Sequence, residues 1–269
     1  MMSGTVTKGY FSLPWGQVHY RSATGAADAP PLLMLHQSPL SSRNYERLLP
    51  LLTGQCQPYA LDTPGYGESS PVPESWEVGD YAALVWKVAD DLGAGKVFLF
   101  GRATGAVFAF AAALAQPQRV LGLVLHGMPV YTDDERANRM AVFAPPFVPQ
   151  ADGSHIQGIW ARIQGEYPWI GPELATHFVR DFLSAGPDFA RSYRAIWRYD
   201  LPAHVRGHVG FPTLLIGGGR DRIAFMHARA QALLPEAESV FLEDATDFVA
   251  EQDAPLMARH LNEFMARHA

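Results

Sequence analysis

The sequence predicts an α/β fold: a mostly parallel sheet with helices on both faces. Short apolar runs of strand length recur along the 269 residues and alternate with segments of helical apolar spacing. Such alternation produces a parallel sheet covered on both sides. One stretch, 128–209, departs from it. It is rich in Pro, Trp and Tyr, has helical patches such as Glu173–Leu183, and contains no strand signal. That predicts a helical insertion after the sixth strand, with the core formed by 1–127 and 210–269.

Taken in order, Gly9–Leu13 and Gln17–Arg21 flank Pro14-Trp15-Gly16 and predict a hairpin. Pro31–Leu35 is a short apolar run, as expected of a buried strand. Tyr45, Leu48, Leu49 and Leu52 share one face if Ser42–Leu52 is helical. A strand through Cys56 ends at Leu61. Asp80–Leu92 has helical spacing, with Asp80 a candidate N-cap. Lys96–Phe100 reads as a strand, Ala106–Ala115 as a helix and Val120–Leu125 as a strand. Pro212–Ile216 and Ser239–Leu242 are the last strands, and Asp253–Arg267 is an amphipathic closing helix.

Composition narrows the function classes. The net charge of −6 gives no support to nucleic-acid binding, which normally shows a basic patch. No apolar run reaches the ~18 residues of a membrane span. The N-terminus lacks the apolar core of a signal peptide, so cytoplasm is the expected compartment. The single cysteine, Cys56, excludes an internal disulfide and reads as a buried, inert thiol. His155, His177, His204 and His208 lack metal-ligand spacing. Gly217-Gly218-Gly219 is not a P-loop, and Gly65-Tyr66-Gly67 lacks the rest of a dinucleotide fingerprint. No metal or cofactor is expected. The expected partner is a small molecule, and the chain is expected to be a monomer or homodimer.

The chemistry-bearing motifs lie at strand ends. Gly101-Arg102-Ala103-Thr104-Gly105 joins a strand to a helix with the spacing of a G-x-S-x-G nucleophile elbow. His36-Gln37-Ser38-Pro39 has the form of an H-G-x-P oxyanion loop. Asp62-Thr63-Pro64-Gly65-Tyr66-Gly67-Glu68-Ser69 has the form D-x-P-G-x-G-x-S. Gly217–Ile223 has the form of a loop presenting a triad acid, at Asp221. With all four in order, the chain resembles the α/β-hydrolase superfamily over almost its whole length. The resemblance implies a mostly parallel eight-stranded sheet flanked by helices, with a helical lid after the sixth strand.

The resemblance also locates departures. Ala103 stands at the nucleophile position and has no hydroxyl with which to attack a carbonyl. Asp244-Ala245-Thr246-Asp247-Phe248 aligns with a family motif, G-A-G-H-F, whose histidine is the general base, so Asp247 stands at the base position. Gln37 replaces the usual glycine of the oxyanion loop. Two facing carboxylates, Asp221 and Asp247, need a nearby cation or a shared proton. Arg102, Arg220 and Arg222 are the cations nearest in sequence. The plain alternative is that both aspartates are salt-bridged scaffold. By analogy the oxyanion donors are the backbone N–H groups of Gln37 or Ser38 and of Thr104, worth roughly 3 kcal/mol each to a developing negative charge.

His36 reads as a structural histidine and is also the nearest substitute base. His126 follows the sixth strand, where sites form. Tyr131 is placed at the cavity mouth. The lid aromatics Trp160, Tyr167, Trp169, Phe178, Tyr193 and Trp197 suggest a largely apolar pocket, with Trp160 and Trp197 the candidates to line it, although most such residues pack a lid onto its core.

Three functions compete. The leading one is an enzyme acting on a small, largely apolar carbonyl or ester-like compound without a serine nucleophile. It would work by proton transfer, elimination or water attack beside an oxyanion hole, as a hydrolase or lyase. The second is a degenerate hydrolase that only binds a small molecule. The third is a serine hydrolase inactivated by a serine-to-alanine change, which explains Ala103 but not Asp247.

Overall fold

The computed structural model describes residues 5–26, 28–143, 147–205 and 209–269. One sheet holds β1 (Val6–Leu13), β2 (Gly16–Ala23), β3 (Pro31–Leu35), β4 (Gln57–Leu61), β5 (Val97–Arg102), β6 (Val120–His126), β7 (Thr213–Arg220) and β8 (Glu238–Thr246). Their order is β1-β2-β4-β3-β5-β6-β7-β8. The β1–β2 and β2–β4 pairs are antiparallel, and every later pair is parallel. From β3 the chain steps to β4 on one side, then to β5 on the other. The carboxyl ends of β3 and β5 therefore flank a topological switch point, where open parallel sheets bind ligands.

Helices α1 (Val78–Asp91) and α2 (Thr104–Ala115) cover one face, where Tyr81 stacks on Phe108 at 4.4 Å. Helix α2 is buried nearly all round, which is why its sequence is apolar throughout rather than amphipathic. On the other face, α10 (Ala254–His268) packs Met257, Leu261 and Phe264 against Phe98 and Phe100. Each fully buried side chain of this size contributes roughly 1.5–3 kcal/mol. Between β6 and β7 lie α3 (Asp133–Val142), α4 (Ser154–Glu166), α5 (Pro172–Ala185), α6 (Arg191–Arg198) and α7 (Leu201–His204), with no strand among the described residues there. These helices are referred to together as the cap. It seats Tyr167, Phe178 and Phe182 against Leu40, Tyr66 and Phe248 of the sheet-bearing part. The remaining helices are α8 (His227–Leu233) and α9 (Val249–Gln252).

Three local expectations need correction. Ser42–Leu52 is not one α-helix but two short 3₁₀ turns, Ser42–Tyr45 and Leu49–Leu51. Pro50 lacks the N–H that a continuous helix needs there, yet the shared apolar face survives: Tyr45, Leu48, Leu49 and Leu52 are all buried. Asp80 is not the N-cap of α1. Glu77 is, and Asp80 closes the reciprocal capping box from the N3 position. Cys56 immediately precedes β4 rather than lying within it, and burial pushes its thiol up to about 12. Met1–Gly4 and His208 lie outside the described residues. Among the described residues no helix is long and apolar enough to cross a membrane.

Candidate active site

The turn between β5 and α2 is tight for reasons its sequence carries. A Cβ on Gly101 would stand 2.5 Å from the Ala106 Cα, and one on Gly105 would stand 2.6 Å from the His36 carbonyl oxygen. Both positions need glycine. Ala103, between them, has φ 47° and ψ −112°, and is the only non-glycine with positive φ among the described residues. Such a conformation costs on the order of 1–3 kcal/mol and is the strand–turn–helix geometry of a nucleophile elbow.

The loop after β4 is built as structure. Asp62 accepts hydrogen bonds from the Ser42 amide at 2.6 Å and the Glu68 amide at 2.8 Å, and its Oδ2 lies 2.8 Å from His19 Nδ1. Burial would raise its pKa, but these partners hold it well below the ordinary carboxylate range. Gly67, at φ +57°, leaves room for that carboxylate. His36 belongs to the same framework. Its Nδ1 is 3.0 Å from the Gln37 carbonyl, and its Nε2 accepts the Thr63 amide at 2.9 Å. With both ring nitrogens engaged and burial lowering its pKa, His36 does not line the cavity. The alternative reading of His36 as the nearest substitute base is corrected.

Above Ala103 lies a cavity of about 70 Å³. Gln37, Ser38, Arg102, Thr104, Asp221, Arg222 and Asp247 line it, and Tyr131 completes the sequence-predicted part. The cap adds Tyr167 and Tyr193, two of the lid aromatics singled out from the sequence, and Ile196, which sequence reasoning missed. Pro129 and Ile223 were also missed. Tyr193 and Ile196 are three apart on α6, a same-face spacing that was available as a signal. Three tyrosines and four charged groups stand in the lining beside Pro129, Ile196 and Ile223, so polar and apolar surface are mixed there. The apolar pocket expected from the lid aromatics thus carries a charged cluster at its floor.

Three other candidates lie elsewhere. His126 is buried beneath the sheet edge, 6.5 Å from the Phe100 ring, with its pKa pushed well down by burial and by Arg102. Trp197 is buried against Phe143 and Tyr193 rather than lining the cavity. Trp160 is 38% exposed on α4.

Arg102 organises the charges. Its Nη2 is 2.8 Å from Asp221 Oδ2 and 3.7 Å from Asp247 Oδ2. Its Nε donates to the Asp247 carbonyl at 3.2 Å, and its Nη1 donates to the carbonyls of His126 and Gly127, each at 3.4 Å. Burial works against its charge, but the two carboxylates outweigh that and raise its pKa. Gly127, at φ +56°, makes the room: a Cβ there would overlap Arg102 Nη1 and stand 2.8 Å from Asp221 Oδ2.

Arg222 closes the other side. Its amide donates to Asp247 Oδ1 at 3.0 Å, its Nε lies 3.4 Å from Asp247 Oδ2, and its Nη1 is 2.9 Å from Glu166. Its guanidinium lies 4.2 Å over the Tyr167 ring. Arg220 takes no part, since it pairs with Asp244 at the surface. Despite the two cations, burial and the charge of Asp221 keep the Asp247 pKa raised.

The family described as "alpha/beta hydrolase fold" matches residues 30–254, most of the chain. The chain belongs to the α/β-hydrolase family. Among its relatives is a protein of Mycobacterium tuberculosis named haloalkane dehalogenase 2, which is 26% identical over 91% of this chain and 90% of that one. A Pseudomonas putida protein named 2-hydroxy-6-oxononadienedioate/2-hydroxy-6-oxononatrienedioate hydrolase 2 is 37% identical, over 41% of this chain and 40% of its own length. Among solved structures, a hydrolase from Pseudomonas aeruginosa superposes with a TM-score of 0.80 at 20% identity, covering 96% of this chain and 98% of that one. At that identity the likeness speaks for the α/β-hydrolase fold alone.

Proposed function

We propose that this α/β-hydrolase-fold chain is an enzyme that acts on a small carbonyl compound by non-covalent proton transfer, with Asp247 as the acid–base group. One observation carries the reading: Asp247 lines the cavity with its proton affinity raised, and the motif at 244–248 aligns it with the superfamily's base. Ala103 supplies no nucleophile, so no acyl-enzyme forms. Arg222 and Tyr167 are the donors that would polarise the ligand oxygen. Burial pushes the Tyr167 phenol up, which keeps its proton in place. The cavity volume of about 70 Å³ matches a ligand of a few heavy atoms when the cap is seated, since a water molecule takes ~30 Å³ of liquid. A hydrolase inactivated at one position would not also need the fitted set of Arg102, Gly127 and Asp247, and this speaks against the third reading.

A second reading, a receptor without turnover, is favoured by the Ser38 amide. It already donates to Thr104 Oγ1 at 2.7 Å rather than waiting for a ligand oxygen.

A panel of small esters, lactones, 2-oxo acids and β-dicarbonyls, screened for thermal stabilisation and then assayed for product, separates the two. The enzyme reading expects product from at least one stabilising compound. It also expects Asp247→Asn to lower turnover by roughly 10²–10⁴-fold, with affinity kept within tenfold. Several stabilising compounds with no product from any would leave the receptor reading standing.

A further inference from the structure

The loop after β3 and the elbow meet in one reciprocal pair. The Ser38 amide donates to Thr104 Oγ1 at 2.7 Å, and the Thr104 hydroxyl donates back to Ser38 Oγ at 3.1 Å. Both residues are buried and line the cavity above Ala103. An amide N–H serves one well-aligned acceptor at close range. The Thr104 oxygen fills that place, so a ligand oxygen must compete with it for the same donor. We propose that Thr104 is the specificity gate of the cavity. Its hydroxyl is the resident acceptor of the Ser38 amide, and a carbonyl or carboxylate oxygen reaches that amide only when the hydroxyl leaves. The inference rests on the cavity being the ligand site.

The gate is held from the cap. Ser192 of α6 donates to Ser38 Oγ at 2.6 Å, and Tyr193 donates to the Ser38 carbonyl. The Tyr66 hydroxyl lies 2.6 Å from Ser192 Oγ and 3.1 Å from the Phe189 carbonyl, which anchors Ser192 to the loop after β4. Helix α6 thus grips Ser38 by its hydroxyl and by its carbonyl. Displacing α6 releases both grips together and leaves the Ser38–Thr104 pair to its own two bonds. Ser192 is therefore a positioning residue for the gate: it acts on the Ser38 amide through the Ser38 hydroxyl.

The test uses the full chain labelled with ¹⁵N, with acetate as the probe and the Ser38 amide resonance as the readout. Thr104→Ala removes the resident acceptor, and its Ser38 amide should titrate with acetate at least tenfold more tightly than in the unaltered protein. Thr104→Ser keeps the hydroxyl and should behave as the unaltered protein does. Ser192→Ala should speed hydrogen exchange at the Ser38 amide by about tenfold, as expected for loss of one supporting hydrogen bond.

The proposal is overturned if acetate shifts the Ser38 amide equally in the unaltered protein and in Thr104→Ala. It is overturned too if a folded Thr104→Ala does not titrate. Should Thr104→Ala fail to fold, unchanged exchange at Ser38 in Ser192→Ala overturns it. Product formation is not read, so an absence of turnover would count against the proposed function and leave this test intact.

Discussion

Burying a guanidinium is unfavourable unless its donors are matched, and Arg102 is matched on all three nitrogens. The two aspartates below the cavity are tolerable for the same reason. Arg102→Met should therefore destabilise the protein by about 3–5 kcal/mol, because it leaves Asp221 and Asp247 facing each other without that cation. Gly127→Ala should cost at least about 2 kcal/mol, because its Cβ overlaps the guanidinium at a backbone conformation that suits glycine. Urea unfolding of both variants measures the losses. Equal stability of Gly127→Ala and the unaltered chain would mean that Arg102 has room to move. Arg102 was recognisable in the sequence only as one of three nearby cations. Its selection over Arg220 depends on β5 pointing it beneath the elbow, towards a carbonyl 145 residues away.

At the scale of elements, the cap meets the loop after β3 through a buried carboxyl. Asp181 of α5 accepts the Ser41 hydroxyl at 2.9 Å, and burial raises its pKa from 3.8 to about 7. Asp62 raises it further, while Arg43 and Arg180 oppose the rise. A raised carboxyl stabilises the fold fully below its unfolded pKa, and that contribution is lost as pH climbs through the folded one. Unfolding free energy should thus fall, relative to Asp181→Asn, between pH 3.8 and about 7, and run parallel above that. Glu251, raised to about 8 by burial, adds a slope of the same sign in both proteins, so the difference isolates Asp181. A difference that stays constant with pH would remove Asp181 from the cap's seating. The helices of this cap were legible from spacing, as at Glu173–Leu183. Which of their aromatics face the cavity was not, because helical periodicity names a buried face without naming what lies beneath it.

For the whole molecule, the decisive question is what hydrolase chemistry is possible with alanine at position 103. Activated esters should give no product burst and no acyl adduct by mass spectrometry. Ala103→Ser should restore little, because a serine above Asp247 has no imidazole to take its proton, and triad members act as a unit. Robust ester turnover by Ala103→Ser would instead mean that another group serves as base, and would revive the reading of a disabled serine hydrolase. The absence of histidine from the described cavity lining is the observation behind this expectation.

The sequence by itself determined the strands, the insertion after the sixth of them, the glycines of the elbow and the loops that bear Asp62 and Asp221. Those features depend on local constraints: periodicity, turn conformation and close backbone approach act within a few residues. Only the tertiary structure decided that His36 and His126 lie off the cavity, that four charged groups meet in its lining, and that the Thr104 hydroxyl accepts the Ser38 amide. Those outcomes rest on side-chain direction and on contacts between segments far apart in the chain, such as Ser38 with Thr104 and Ser192, 66 and 154 residues away. A one-dimensional pattern carries no term for such contacts, because they form only when β3, β5 and the cap converge on one end of the sheet.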